Sequence, residues 1–222
     1  MTQLETELQQ LKDEVKNMWL LVRSQLVKSR QSLIGFDKDL AREVVAMEKR
    51  VNGLELKIDR DCEDIFALYA PVAIDLRFLL AILKINTNLE RIGDIAEGIA
   101  KYIIDTENIF SEELYQTSRV MEMYDKSITM YDDTLAAFEK EDTIMARSIF
   151  KMDEFLDEIN ITANKNIGGY LKGHSEDINQ ALYALSIIRK LERVGDQSKN
   201  IAEEIIFYVE AKVVRHSNKR SE

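Results

Sequence analysis

Apolar residues recur every three or four positions through almost the whole chain. Leu4, Leu8, Leu11, Val15, Met18 and Val22 form one such stripe. Others follow Ala41 to Ile65, Phe78 to Ile103, Leu114 to Phe138, Ala146 to Tyr170 and Ala184 to Tyr208. A 3.6-residue period kept up this long specifies amphipathic helices and excludes the two-residue alternation of strands. With 8 glycines and 1 proline in 222 residues, little interrupts it. The chain reads as all-α, with six helices.

The expected breaks are short. Gly35 to Asp37 separates the first two helices, with Asp37 or Asp39 as N-cap. Pro71 is placed in the first turn of helix three. Asn108 to Ser111 precedes helix four, Glu139 to Asp142 starts helix five, and Gly173 to Ser175 lies in the last turn. Short connections favour antiparallel neighbours.

The chain also repeats itself. "LERIGD" at 89–94 returns as "LERVGD" at 191–196, an offset of 102 residues. An offset of 105 carries Ala41 to Ala146, Val44 to Ile149 and Glu48 to Asp153. Two tandem antiparallel three-helix bundles follow, spanning 1–107 and 108–214, with a basic tail at 215–222.

Several acids sit where a core residue belongs. Glu48 falls within the apolar series of helix two, and Asp153 within that of helix five. A carboxylate there is costly unless it is paired or holds a cation. Glu90 and Asp94 share one helix face, and Glu192 and Asp196 repeat it. With a turn near 70–71, Glu48 lies about 22 residues before it, and Glu90 and Asp94 roughly 20 and 24 after it. Equal rise puts the three level on antiparallel helices. Asp153 and Asp157 meet Glu192 and Asp196 in the same way. Clustered carboxylates on facing helices build metal sites. The other reading is a salt-bridge layer, with Arg91 and Arg193 pairing with Asp94 and Asp196, and spacing alone leaves both open. Gly93 and Gly195 stand in mid-helix at a cost of about 1 kcal/mol each, which close helix approach or room for an ion would explain.

The net charge of −10 speaks against nucleic-acid binding. One cysteine, Cys62, allows no internal disulfide. The polar first residues are no signal peptide, and no apolar run is long enough to span a bilayer, so a cytoplasmic protein is expected. The histidines, His174 in a turn and His216 in the tail, are misplaced for the Glu-x-x-His pairs of a di-iron oxidase. No glycine-rich phosphate loop is present.

"LERIGDIAEGIAKY" and "LERVGDQSKNIAEEI", with "APVAIDLRFLLAILKINTN" ahead of the first, resemble the PhoU family of phosphate-uptake regulators. The resemblance covers almost the whole chain. It implies two three-helix bundles, often as a homodimer, and no catalysis. It also implies partnership with the ATPase subunit of a phosphate ABC transporter and with a sensor histidine kinase, which together keep phosphate-starvation genes off when phosphate is plentiful. The family's E/D-xxx-D motifs are associated with iron or zinc. Carried over, a second site would use Asp153, Asp157, Glu192 and Asp196, and a first Glu48, Asn52, Glu90 and Asp94. Asn52 stands where the family favours Asp, so the second site is expected to bind more strongly. Two alternatives are a carboxylate-metal hydrolase or oxidase and a metal-free helical adaptor.

Overall fold

The computed structural model describes residues 2–214 and consists of helices; among these residues there is no strand. The α-helices are α1 (Gln3–Gly35), α2 (Lys38–Tyr69), α3 (Ala73–Asp105), α4 (Glu112–Ser118), α5 (Val120–Lys140), α6 (Thr143–Tyr170) and α7 (Ile178–Glu210). The tail at 215–222, with His216, lies outside the described residues.

Local chemistry sets the boundaries. A capping box heads α1: the Glu5 amide donates to Thr2 Oγ1 at 3.2 Å and the Thr2 amide to Glu5 Oε2 at 2.8 Å. Asp37 caps α2, Ser111 caps α4 and Asp142 caps α6, each accepting from the amides of the first turn. Two details depart from expectation. Pro71 lies ahead of α3, not in its first turn, because Val72 is the N-cap; α2 ends at Tyr69 and is capped by Ala70, which adopts φ 44°. The fourth helix is split at Arg119, which takes φ 57°. A left-handed non-glycine residue costs roughly 1–2 kcal/mol. The Arg119 guanidinium offsets this by donating to Glu122 at 2.6 and 3.0 Å and to Glu158 at 3.0 Å. α4 and α5 together fill the fourth place in the six-helix plan.

α2, α3, α7 and α6 lie side by side in one layer. α1 packs on α2 and α3, α5 packs on α6 and α7, and α1 meets α5. α3 and α7 run antiparallel, since Phe78 meets Tyr208 edge-on at one end (5.5 Å between ring centroids) and Tyr102 meets Tyr183 at a tilt at the other (5.4 Å). Their contact is nearly as extensive as the largest within either bundle. A central helix must therefore be apolar on more than one stripe, and α3 buries 14 residues where α2 buries 7. The apolar side chains of both bundles form one core. Trp19 of α1 joins them, stacked on Phe138 at 5.4 Å and accepting at its carbonyl from Tyr131 Oη at 2.9 Å.

The glycines sort by what surrounds them. At Gly53, on the exposed side of α2, an added methyl meets nothing within 4 Å. Gly53→Ala is expected to stabilise the chain by about 1 kcal/mol. At Gly93 the same methyl would lie 3.1 Å from both Gln25 Oε1 and Glu48 Oε2 and 3.3 Å from Val51 Cγ1. There overpacking of about 1–3 kcal/mol outweighs the propensity gain, and Gly93→Ala is expected to destabilise. Melting temperatures of the two variants check both signs; a stabilised Gly93→Ala would refute the close approach.

Candidate metal centre

The buried acid of α2 is Glu48, 6% exposed and set among Val44, Val51 and the core. Its Oε2 accepts from Gln25 Nε2 at 2.8 Å, while its Oε1 has no hydrogen-bond partner. α3 brings Glu90, partly buried, and Asp94, exposed, to the same height. One carboxylate oxygen from each of Glu48, Glu90 and Asp94 lies within 4.8 Å of the others. Gly93 lets α2 approach α3 closely enough for this. Asn52, one turn further along α2, is exposed.

The second acidic set is arranged differently. Asp153 of α6 is 3% exposed, and its Oδ1 has no hydrogen-bond partner. Its Oδ2 accepts from Lys199 Nζ of α7 at 2.5 Å. Gly195 plays the part of Gly93, with a methyl there meeting Asp153 Oδ1 at 3.1 Å. Asp157 is exposed, and Glu192 and Asp196 are half-buried. Among the described residues, only Glu48, Glu90 and Asp94 bring three ligand atoms together. The larger count of carboxylates in the second set does not translate into a tighter cluster here, and the Lys199 ammonium lies against Asp153. The salt-bridge layer through Arg91 and Arg193 does not form: both are exposed, and among the described residues neither is ion-paired.

Electrostatics mark both sets. Burial, then the neighbouring Asp94, Glu55 and Glu48, pushes Glu90 up to about 7. Burial also raises Glu48, against the hydrogen bond from Gln25, and raises Glu55 beside Asp59 and Asp94. Asp157, Glu192 and Asp196 are raised too, by burial first and then by neighbouring charge, that of Asp153 on Asp157 and Asp196 and that of Asp196 on Glu192. A raised carboxylate holds its proton in the folded chain above the pH at which the unfolded chain gives it up. Stability of the metal-free protein is therefore greatest at low pH within this window, and falls as pH rises from about 4.5 to about 7. Glu122, held low by Arg119, acts below that window. Denaturant midpoints in chelator at several pH values check the slope. Glu90→Gln should flatten it, and a midpoint that climbs through the window would contradict the assignment.

The first set suits a cation by its chemistry: three carboxylates with few positive neighbours, and one buried oxygen that nothing satisfies. All-oxygen donors of this kind favour hard cations. Sequence reasoning missed Gln25, although a polar residue beside the apolar stripe of α1 carries the signal that exposed Glu48. It missed Lys199 as well, although the repeat places Lys199 opposite Glu97.

Comparison with known proteins follows the same lines. The PhoU domain model matches the chain twice, at residues 15–103 and 120–205. The chain is 33% identical over 215 residues to the phosphate-specific transport system accessory protein PhoU of Escherichia coli, covering 96% of this chain and 88% of that protein. It is 31% identical to a Thermotoga maritima homolog of the same description, covering 91% and 87%. The crystal structure of PhoU from Pseudomonas aeruginosa superposes with a TM-score of 0.89 at 31% identity, over 95% of this chain and all of that one. A phosphate transport system regulatory protein from Streptococcus pneumoniae gives 0.85 at 30% identity, over 96% and 99%.

Proposed function

The chain belongs to the PhoU family, and we propose from that premise that it is an accessory regulator of phosphate-specific transport with no chemistry of its own. The observation that carries this is similarity along nearly the full length of proteins named as accessory or regulatory components of that system. In this reading the chain works in the cytoplasm as a homodimer, with the ATPase subunit of the transporter and the sensor histidine kinase. It keeps phosphate-starvation genes off when phosphate is plentiful. No helix among the described residues is long and apolar enough to cross a membrane, so membrane contact would come through these partners.

The acidic sets belong to the same proposal. Glu48, Glu90 and Asp94 would hold the metal ion, with Asn52 near enough along α2 to add an amide oxygen. Asp153, Asp157, Glu192 and Asp196 would form the weaker site. A bound ion would fix the α2–α3 hairpin and change the charge it presents to a partner. A regulator of this kind acts by binding one state of its partner more tightly, and a tenfold shift needs only about 1.4 kcal/mol.

Deleting the gene is the direct test. Starvation-gene output is expected to stay high in excess phosphate and to return to the repressed level when the chain is supplied from a plasmid. Normal repression in a deletion strain with no second copy would refute the regulatory reading.

A further inference from the structure

The two acidic sets are related by the repeat, yet they are not equal. The offset of 102 residues places Glu90 and Asp94 on Glu192 and Asp196, and it places Glu97 on Lys199. Glu48 and Asp153 fill matching positions on α2 and α6. Each is almost wholly buried, each lies against a mid-helix glycine, and each has one oxygen without a partner. The difference is what faces the other oxygen. For Glu48 it is a neutral amide, Gln25 Nε2, at 2.8 Å. For Asp153 it is the Lys199 ammonium at 2.5 Å. Glu97, at the position matching Lys199, is itself paired with Lys101 at 2.6 Å. Among the described residues no lysine or arginine is ion-paired with Glu48, Glu90 or Asp94.

We propose that Lys199 is a tethered counter-ion of the second set, so that a metal ion enters the first set without displacing a cation and the second only by displacing the Lys199 ammonium. The proposal rests on the metal-binding reading above. A buried carboxylate needs positive charge beside it, and a lysine on the adjoining helix supplies that charge at all times. An incoming ion must then exceed what Asp153 already gains from Lys199. The side chain of Lys199 is 39% exposed, and its stem is long and flexible, so the ammonium can swing into water without moving α7. The first set has no such occupant. One chain would then answer metal supply in two steps, with the α2–α3 hairpin loaded first and the α6–α7 hairpin only at higher metal.

Manganese(II), a hard ion countable by electron paramagnetic resonance, is a suitable probe for the full chain. Wild type is expected to show two classes of site at least tenfold apart in affinity, and Glu48→Gln should remove the tighter. Lys199→Met should strengthen the weaker class to within about threefold of the tighter, while Lys199→Arg, which keeps the charge, should leave the two well apart. In chelator, Lys199→Met should also melt below wild type, because Asp153 loses its counter-ion, and manganese should restore its melting temperature. If Lys199→Met folds poorly, Lys199→Gln serves for the same titration. A weaker class unchanged by Lys199→Met and Lys199→Gln would overturn the role of Lys199 alone, as would loss of the tighter class in Asp153→Asn instead of Glu48→Gln. Absence of any manganese binding by wild type would overturn the metal reading and this proposal together.

Discussion

Replacing Trp19 by alanine is expected to lower stability by about 3–5 kcal/mol, among the largest losses for any single substitution in this chain. Trp19 is wholly buried and belongs to both halves at once. It leaves α1 and packs on Tyr131 at 5.8 Å and Phe138 at 5.4 Å, both on α5. Phe138 in turn meets Tyr208 of α7 at 6.4 Å, and Tyr208 meets Phe78 of α3. Truncation would open a cavity at the point where four helices from two bundles converge, and the rings around it cannot collapse inward without disturbing the α3–α7 contact. Because the core is continuous, unfolding by denaturant should remain one transition, shifted to lower concentration. Two separate transitions in the wild type, or a loss below about 1 kcal/mol in the variant, would show that the bundles are independent and that Trp19 does not join them.

Glu48→Gln is expected to weaken metal binding at the first set on the order of a hundredfold, about 2.8 kcal/mol. The substitution keeps the shape and the contact with Gln25 while removing the charge. The loss should be large because Glu48 is the buried member of the set, so little solvent replaces what it gives the ion. The folded chain should not suffer. Burial already disfavours the ionised form of Glu48, and an amide avoids that penalty, so metal-free Glu48→Gln is expected to be at least as stable as wild type. Calorimetric titration and a melting curve on the same sample separate the two effects. Unchanged affinity would remove Glu48 from the site, and a strongly destabilised variant would make Glu48 a structural residue.

Much of this was legible in the sequence, and the parts that were not share a physical cause. Period and repeat gave six helices in two related halves, and the breaks ending at Asp37, Ser111 and Asp142 marked the starts of three of them, because the side chains that cap a helix act locally. The level arrangement of Glu48, Glu90 and Asp94 followed from rise per residue. The break at Arg119 was hidden because no glycine, proline or asparagine stands there; Glu122 and Glu158 hold the turn, and Glu158 is distant in sequence. The fusion of the bundles was hidden because the second apolar stripes of α3 and α7 become legible only once both helices are placed. The unequal acidic sets turned on one side chain. Counting carboxylates favours Asp153, Asp157, Glu192 and Asp196, but Lys199, one turn beyond the acidic motif, lies against Asp153.

The account centres on the triad of α2 and α3 as the primary metal site. Crystals grown with manganese at one equivalent per chain, with data collected near the manganese absorption edge, test this directly. The expected result is one anomalous peak bounded by the carboxylates of Glu48, Glu90 and Asp94, with the Lys199 ammonium still on Asp153. A peak only among Asp153, Asp157, Glu192 and Asp196, or no peak at either set, would contradict it.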